Sequence, residues 1–483
     1  MSAEAIKLDR LEEYLWEIPR QGGMRVPGRI YASEKLMADL KDDNCLRQVM
    51  NVAHLPGIVG YSLAMPDIHW GYGFPIGGVA AVSLDEGVIS PGGVGYDINC
   101  GVRLVQTGLV FEQIKDKLTR IVESLFSVIP SGVGSEGAIA KLSKQDVKRL
   151  LRDGARWAVS EGYGCQDDLS HMEEGGRLAT ADAALISDRA LERGLKQVGT
   201  LGSGNHFLEI GRVEEIYLPQ VADTLRLFPD QIVILIHTGS RGLGYQICED
   251  SLKVMSKAMT KYGISLPDRQ LACTPIQSPE GQDYLAAMAA AANYAWANRQ
   301  VIMSRAEAAF MKALNISPKD LGFSLLYDVC HNIAKIEDHV VDGKKRRLCV
   351  HRKGATRAFA PGHPQIPADY QNIGQPVLIP GDMGRYSYLS VGTDTAMKKT
   401  FGSTCHGAGR TMSRAQSKKQ SQTMDINQEM ARRGVVARYQ GRGTMAEEMP
   451  HAYKDVADVV ETMDHAGVSK RVARFRPVGV IKG

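Results

Sequence analysis

The sequence lacks the short motifs that mark several large classes of nucleotide-using proteins. No GxxxxGKS or GxxxxGKT phosphate loop occurs, which argues against a Walker-type NTPase. Neither a Lys-x-Asp-Gly motif nor an HxTxH pair is present, so the usual cues of lysine-adenylating ligases and two-histidine phosphodiesterases are missing. The GxG segments lack the strand, helix and acidic residue of a dinucleotide site.

Long apolar runs and cysteine motifs are also scarce. The most apolar stretch, Tyr284 to Asn298, is shorter than the ~20 residues that cross a bilayer, so we expect a buried helix and no membrane partner. The eight cysteines contain no CxxC pair, and the first twenty residues contain no apolar segment of the secretory type. Reduced thiols and a cytoplasmic location are therefore expected.

The composition is typical of a packed protein with many loops. The chain has 483 residues, of which 44% are hydrophobic, and a net charge of +4. Its 50 glycines lie in short clusters between apolar runs, and such clusters let backbone approach a ligand closely. The charge is uneven, because residues 401–483 carry 14 lysines and arginines against 8 acidic residues.

The order of patterns predicts an α+β fold in which mixed β-sheets form a central core flanked by helices. Residues 1–110 alternate apolar runs with glycine and proline, which is typical of strands and loops, and residues 111–197 are interpreted as a helical insertion. Two helices are predicted after 240, the second opened by Ser278 and Pro279. The last hundred residues are expected to be loop-rich. Strands are predicted at 231–237, 324–329 and 376–380. Because reactive residues are spread over the whole chain, we expect one catalytic domain, 1–483.

One arrangement recurs at five places. A histidine or cysteine lies at the end of an apolar, strand-like segment, beside glycine or a small polar residue. Strand ends hold side chains rigidly, and the glycines leave space for a ligand. The segments are GVGYDINCG with Asp97 and Cys100, TLGSGNHFLEI with Asn205, His206 and Glu209, VILIHTGSRGLG with His237, LLYDVCHNIAK with His331 and Asn332, and FGSTCHGAGR with His406.

The donors in the first four segments suit divalent metal ions. One carboxylate, one thiolate and three imidazoles can hold one or two ions, and a bridging Cys100 would bring two ions within ~4 Å, the spacing of in-line phosphoryl chemistry. The thiolate favours zinc or cobalt, whereas carboxylate and phosphate oxygens suit manganese or magnesium. Taken singly, a histidine after a strand is more often a hydrogen-bonded core or surface residue than a ligand, and Asp97 with Cys100 is equally a turn acid beside a buried thiol. Together the four segments predict a metal site.

His406 differs from the other three histidines because it lies in the glycine-rich loop CHGAGR, which ends at Arg410. Backbone amides of this loop could cradle phosphate oxygens while Arg410 neutralises charge. A neutral imidazole placed against a nucleotide phosphorus can serve as a covalent nucleophile. The residues alone leave two other roles open for His406, a fifth metal ligand or a general acid.

Basic residues cluster in four segments, 344–347, 351–359, 431–438 and 470–476. Each segment by itself is typical of solvated surface. Because they lie close in sequence to His331 and His406, together they predict a surface for a polyanion near the site.

In these blocks the chain resembles the RtcB family of RNA-splicing ligases, over essentially its full length. The resemblance implies joining of RNA ends with a 2′,3′-cyclic phosphate or 3′-phosphate to 5′-hydroxyl ends, using GTP and two Mn²⁺ ions. It implies RNA as partner, in tRNA splicing or RNA repair, and leaves open whether the activator archease is needed. The matching blocks are MPDIHWGYGFPIGG (65–78), GVGYDINCG, GSGNHFLEI, HTGSRGLG, the strand before His331 and Asn332, HRKGATRAF, CHGAGR, AYKDV (452–456) and VGVIKG.

The resemblance also implies roles for individual residues. His406 would become guanylylated, Arg241 and Arg410 would contact RNA or phosphate, and Asp67 is linked to activity. The two ions are implied to be held, with a bridging thiolate, by Asp97, Cys100, His206, His237 and His331. The implied nucleotide contacts are Asn205, Glu209, His331, Asn332, Pro380, Gly381, Asp382, Met383, Ser387, His406, Gly407, Ala408, Gly409, Tyr453 and Lys482.

The segment IPGDMGRYSY (379–388) departs from the family pattern. Asp382 stands where the family usually has a small hydroxyl residue, and Arg385 is also unusual. An acid beside a bound guanylate could repel phosphate or contact the sugar or base, so the departure bears on nucleotide affinity or preference.

Two rival hypotheses use the same residues. The first is a metal-dependent RNA phosphoesterase that forms no covalent nucleotide. The second is an RNA-binding module with a structural metal. A covalent protein–GMP adduct is expected only from a ligase.

Overall fold

The strands of the protein lie in mixed sheets. A computed structural model describes residues 6–40 and 44–483. Its strands are β1 (Asp9–Glu12), β2 (Leu15–Ile18), β3 (Gly28–Tyr31), β4 (Ile58–His69), β5 (Ile76–Ser83), β6 (Val88–Ile89), β7 (Gly101–Val110), β8 (Phe207–Ile216), β9 (Gln231–Thr238), β10 (Thr274–Pro275), β11 (Ser324–Cys330), β12 (Asn332–Val341), β13 (Lys344–Lys353), β14 (Ala355–Arg357), β15 (Pro376–Ile379), β16 (Ser387–Gly392), β17 (Ser403–Cys405), β18 (Val436–Tyr439) and β19 (Ser469–Lys482).

Helices flank these sheets along most of the chain. The helices are α1 (Glu34–Leu40), α2 (Cys45–Val52), α3 (Phe111–Ile114), α4 (Leu118–Val128), α5 (Lys144–Asp153), α6 (Ala155–Ser160), α7 (Gln166–Ser170), α8 (Asp188–Gly194), α9 (Pro219–Thr224), α10 (Arg241–Lys261), α11 (Pro279–Leu314), α12 (Pro318–Leu321), α13 (Asp394–Lys399), α14 (Arg414–Gln420), α15 (Ile426–Arg432), α16 (Arg442–Glu447) and α17 (Val456–His465). Short 3₁₀ turns connect several of them.

Two large sheets form the centre of the molecule. One has the order β1-β2-β3-β4-β5-β13-β12, and the other has the order β11-β7-β9-β8-β19-β16-β15, with β18 paired to β19. Strands β3 and β4 run parallel, as do β18 and β19, whereas the other pairs in these sheets are antiparallel. The predicted α+β fold with mixed sheets and flanking helices is confirmed.

The antiparallel order of β11, β7, β9 and β8 brings four chain segments to one edge. Gly101 at the start of β7 pairs with Thr238 at the end of β9 and with Cys330 at the end of β11. Phe207 at the start of β8 pairs with His237. Starts and ends of antiparallel neighbours lie at the same edge. The segments that carry the candidate metal ligands therefore meet there.

The long helix α11 packs behind this edge. The Ser278 hydroxyl caps it by accepting from the Gly281 N–H, Pro279 occupies its first turn, and the helix ends at Asn315, whose φ is 57°. The helix packs against α4, α10 and β9, and its alanine-rich middle is buried. Across residues 6–40 and 44–483, no helix combines the length and the apolar character needed to cross a bilayer.

Residues 111–197 contain helices and turns and no strand, as the sequence pattern predicts for this segment. The start of the chain differs from its prediction as strands and loops, because α1 and α2 lie there. In α2 the residues Leu46, Val49 and Val52 are buried, which is the spacing of an amphipathic helix. The organisation of the whole chain as one domain stays a prediction.

The prediction of a loop-rich last hundred residues is wrong for the terminal segment. Strand β19 runs for 14 residues and pairs with β8 and β16 in the central sheet. Its arginines obscure the strand pattern, but Arg474 and Arg476 form ion pairs with Glu214 on β8. These two charges of the strand are therefore matched by its neighbour.

The prediction of an exposed basic segment at 351–359 is also wrong. Arg352 is buried and pairs with Glu337 at 2.6 Å, and Arg357 is buried and pairs with Glu174 at 2.8 Å. These carboxylates come from other parts of the chain, so the sequence pattern does not reveal them. Segment 344–347 is exposed, as expected.

Candidate active site

Four strand ends bring a compact group of metal-binding side chains together. The Cys100 Sγ lies 3.4 Å from Nε2 of His206 and 3.3 Å from Nε2 of His237. Nε2 of His237 lies 3.3 Å from Nε2 of His331. Nε2 of His206 lies 2.9 Å from a carboxylate oxygen of Asp97. The five sequence-predicted metal ligands are therefore neighbours.

The ligand atoms form two groups that share one sulfur. Cys100, His237 and His331 make one group, and Asp97, Cys100 and His206 make the other, with all ligand atoms of a group within 4.8 Å of one another. A thiolate shared by two groups is the arrangement that a sulfur-bridged pair of ions requires. Imidazole, thiolate and carboxylate are all ligands of divalent transition metals.

The surroundings of the candidate ligands orient His206 and disfavour a positive charge on His237 and His331. Nδ1 of His206 lies 2.9 Å from the carbonyl oxygen of Leu201 and donates to it, which directs Nε2 toward Asp97 and Cys100. Burial and the neighbouring cationic groups lower the pKa of His237 and of His331 well below the usual value. Burial and the Asp97 charge raise the pKa of the Cys100 thiol well above its usual value. A bound cation would reverse that effect on the thiol.

Backbone and a buried arginine fix the ligand segments. Nη1 of Arg299, on α11, donates to the carbonyls of Asn99 and Thr238, each at 2.9 Å. These residues adjoin Cys100 and His237. Arg299 is held in turn by a two-point ion pair with Asp328. Sequence reasoning missed Arg299, and only its position in a buried helix could have indicated it.

His406 lies beside the metal-ligand group, directly after β17. Its ring centroid is 4.7 Å from that of His331. Nδ1 of His406 lies 2.6 Å from Oδ2 of Asp67, and the same oxygen accepts from the backbone N–H groups of His406 and Gly407 at 3.0 and 3.2 Å. Burial alone would raise the pKa of Asp67, but the charge and hydrogen bonds of His406 bring it below the usual value. Asp67 is therefore an ionised partner of His406.

Gly409 allows the loop after His406 to pass directly over Asp67. Its φ is +74°, and a Cβ there would lie 2.2 Å from the carbonyl oxygen of Asp67. A side chain at this position would push the loop away.

A cavity of about 1020 Å³ opens over these groups. This volume is at the upper end of small-molecule sites, so it leaves room beyond one nucleotide. Arg241 and Arg410, predicted to contact RNA or phosphate, line it together with all five candidate metal ligands. The predicted nucleotide contacts that line it are Asn205, His331, Asn332, Pro380, Gly381, Asp382, Met383, His406, Gly407, Ala408, Gly409, Tyr453 and Lys482.

Glu209 and Ser387 do not line the cavity but lie behind its wall. The Ser387 hydroxyl donates to Oε1 of Glu209 at 3.0 Å. Burial raises the pKa of Glu209 to about 8, partly offset by the Ser387 hydrogen bond. This carboxyl group is therefore largely protonated at neutral pH.

Asp382 and Arg385, the two unusual residues of the 379–388 segment, contact each other. Nε of Arg385 lies 3.0 Å from Oδ2 of Asp382, whose side chain is buried. Arg385 also donates to the carbonyls of Lys454 and Pro450 at 3.1 and 2.9 Å. The second unusual residue thus neutralises the first and ties the segment to residues 450–454.

Sequence reasoning missed several cavity residues. Arg414 and Glu448 line the cavity, and Glu448 pairs with Arg410 at 3.2 Å. Lys353, expected on a basic surface, also lines the cavity, and its Nζ donates to the carbonyl of Phe74 at 3.2 Å. Trp70, in the 65–78 block, also lines the cavity, and the sequence pattern predicts no role for it.

Comparison with known proteins agrees with this arrangement. A family model described as "tRNA-splicing ligase RtcB" matches residues 48–483. Relatives named tRNA-splicing ligase RtcB include one from Archaeoglobus fulgidus, 53% identical over 485 residues and covering 100% of both chains. Others are from Thermococcus kodakarensis, 50% identical over 99% of this chain and 100% of the relative, and from Nanoarchaeum equitans, 48% identical with the same coverage. The chain therefore belongs to the RtcB family of tRNA-splicing ligases.

Proposed function

We propose that this protein joins RNA ends bearing a 2′,3′-cyclic phosphate or 3′-phosphate to ends bearing a 5′-hydroxyl, using GTP and Mn²⁺. As a member of its family the chain is an RNA ligase. The observation that carries the finer proposal is the position of His406, whose Nδ1 is bonded to Asp67 and whose ring lies 4.7 Å from that of the candidate metal ligand His331.

The donor set supports two metal ions. One would be held by Asp97, Cys100 and His206, and the other by Cys100, His237 and His331. When bound, the ions would supply positive charge to phosphate oxygens and favour in-line displacement at phosphorus. Manganese is proposed because it accepts both the imidazoles and the oxygen ligands of the protein and of phosphate.

His406 is the proposed nucleophile. Asp67 accepts the Nδ1–H of His406, which leaves the lone pair of Nε2 available. Nε2 attacks the α-phosphorus of GTP, the bond from that phosphorus to the bridging oxygen of the β-phosphate breaks, and pyrophosphate leaves. The product is a His406–GMP phosphoramidate. The resonance-stabilised ring makes a good leaving group in the next step.

Two RNA steps follow from this intermediate. A cyclic phosphate end is first opened by water to a 3′-phosphate. An oxygen of that phosphate attacks the GMP phosphorus, the N–P bond to His406 breaks, and an RNA-ppG end forms. The 5′-hydroxyl then attacks the RNA phosphorus and GMP leaves. Splitting one difficult displacement into two easier ones is the purpose of the covalent nucleotide.

The cavity charge supports RNA as the polymeric substrate. Arg241 and Arg410, the proposed phosphate contacts, line the same cavity as His406. Nη2 of Arg241 donates to the Ser135 hydroxyl at 3.2 Å, which joins the 131–135 loop to the cavity wall. Three expectations stay predictions: a substrate in tRNA splicing or RNA repair, activation by archease, and action in the cytoplasm.

Labelling with α-phosphate-tagged GTP and Mn²⁺ tests the proposal. We expect a covalent protein adduct, labile in acid and stable in alkali, which is the behaviour of a phosphoramidate. His406→Ala should abolish the adduct, and His171→Ala, a histidine outside the cavity, should leave it intact. Absence of an adduct on the wild-type protein would overturn the proposal. Opening of a cyclic phosphate by such a protein would then favour the phosphoesterase alternative.

A further inference from the structure

Of the six phenylalanine, tyrosine and tryptophan side chains that line the cavity, four are here named the aromatic rim: Trp70, Tyr72, Tyr96 and Tyr245. Trp70 is 61% exposed and Tyr245 is 43% exposed, although most large hydrophobic side chains of the described chain are buried. Large aromatic groups exposed together in a cavity often mark a binding surface.

Three of these rings form a continuous ladder. The centroids of Tyr96 and Tyr245 are 4.8 Å apart with an interplanar angle of 24°, and those of Tyr72 and Tyr96 are 5.5 Å apart at 68°. Tyr72 and Tyr96 are half-buried and pack against the hydrophobic core. These two rings are therefore held in place before any ligand arrives, which lowers the entropy cost of stacking on the ladder.

The rim residues adjoin, in the chain, both the candidate metal site and the strand that carries Asp67, the partner of His406. Tyr96 directly precedes the candidate metal ligand Asp97, and Trp70 follows His69, at the end of the strand that carries Asp67. The proposed guanylate contacts come from other segments, around residues 380–383, 407–409, 453 and 482. The rim side chains are therefore not among the proposed guanylate contacts.

The charge around the rim fits a polyanion. Of the three carboxylates that line the cavity, Asp97 belongs to the candidate metal site, Asp382 is paired with Arg385 and Glu448 is paired with Arg410. Five basic side chains line the cavity: Arg241, Lys353, Arg410, Arg414 and Lys482. Burial lowers the pKa of Lys353 to about 7 and that of Lys482 to about 8, so the arginines carry most of the positive charge at neutral pH. Positive groups beside exposed aromatic faces are the usual combination for single-stranded nucleic acid.

We propose that the aromatic rim stacks an unpaired nucleobase of the RNA strand, close to the end that is joined. The inference rests on the proposed function and adds a subsite to it. Stacking uses the π-face that every base has, so the rim would favour single-stranded ends without selecting a sequence. The backbone of the same nucleotides would lie along the cationic cavity wall.

Abasic RNA tests the inference on the full-length, Mn²⁺-loaded protein. Fluorescence anisotropy would give the Kd of a single-stranded 3′-phosphate RNA and of matched oligonucleotides with one abasic nucleotide at each of the last four positions. We expect one abasic position to weaken binding by wild-type protein about 5- to 100-fold. Trp70→Ala or Tyr245→Ala should weaken binding of the intact RNA and remove the sensitivity to that position. Trp70→Phe should keep most of it.

A control variant and the GMP-adduct assay distinguish failure of the rim proposal from failure of the proposed function. Phe228 is 39% exposed and does not line the cavity, so Phe228→Ala should bind intact and abasic RNA like the wild type. If the wild-type protein forms the GMP adduct but tolerates every abasic position, the rim proposal is overturned and the proposed function stands. If wild-type protein neither forms the adduct nor binds RNA, both are overturned. Normal RNA binding by both alanine variants would also overturn the rim proposal.

Discussion

One carboxylate oxygen of Asp67 receives three hydrogen bonds from the 406–407 segment, including the one from Nδ1 of His406 at 2.6 Å. The two residues are 339 positions apart in the chain. The contact fixes the ring orientation of His406, and in the neutral imidazole it places the proton on Nδ1 and the free lone pair on Nε2. A second residue thus determines the reactivity of the proposed nucleophile.

Asp67→Asn should slow guanylylation of His406 about 10- to 100-fold. The amide oxygen can keep the geometry, but the negative charge that stabilises a cationic imidazole during attack is lost. The rate of label transfer from α-phosphate-tagged GTP measures the effect, with the amount of folded protein checked by circular dichroism. An unchanged rate would show that Asp67 does not tune His406.

Cys100→Ser should reduce the manganese that the protein holds. The sulfur belongs to both ligand groups, and a serine hydroxyl is a far poorer bridge than a thiolate. We expect two equivalents per chain for the wild type and at most one for the variant, measured by equilibrium dialysis with elemental analysis. Cys165→Ser, an exposed cysteine outside the cavity, serves as the control. Two tightly held ions in Cys100→Ser would contradict a bridging role.

The candidate ligands could be predicted because their signal is local. Each reactive residue stands beside a glycine or small polar residue at the boundary of an apolar strand, as His237 and His331 illustrate. The sequence does not show which strands are antiparallel neighbours. That pairing brings the start of β7 to the end of β9. The α+β class was predictable from the mixed periodicities, whereas the strand order was not.

Buried ion pairs are the feature that the sequence patterns predict least well. The basic segment 351–359 reads as surface, yet Arg352 lies on β13 against Glu337 of the neighbouring strand β12. A buried ion pair requires both partners, and the partner is set by strand register rather than by nearby sequence. The contact between Asp382 and Arg385 is of a different kind, because these residues are three positions apart in one loop and their spacing is visible in the sequence.

Glu209→Gln should change how stability depends on pH. The pKa of Glu209 is raised from 4.5 to about 8 by burial, so between these values the unfolded chain loses a proton that the folded chain keeps. This group therefore makes the wild type less stable as pH rises from 4.5 to 8, and glutamine removes that contribution. Urea unfolding at pH 5, 6.5 and 8 should show the variant gaining stability relative to the wild type at each step. A constant difference across the three pH values would mean that Glu209 titrates normally.

Asp382→Ser should cost stability and leave nucleotide preference unchanged. The Arg385 guanidinium lies 3.0 Å from the Asp382 carboxylate and offsets its charge, so we expect this residue to repel a bound phosphate only weakly. Removing the acid leaves Arg385 without its carboxylate and should lower the free energy of unfolding by about 1–3 kcal/mol. Urea unfolding of the two single variants and of Asp382→Ser combined with Arg385→Ala gives the coupling between them. Competition between ATP and GTP in the labelling reaction checks the preference, and use of ATP by Asp382→Ser would show that the acid selects the base.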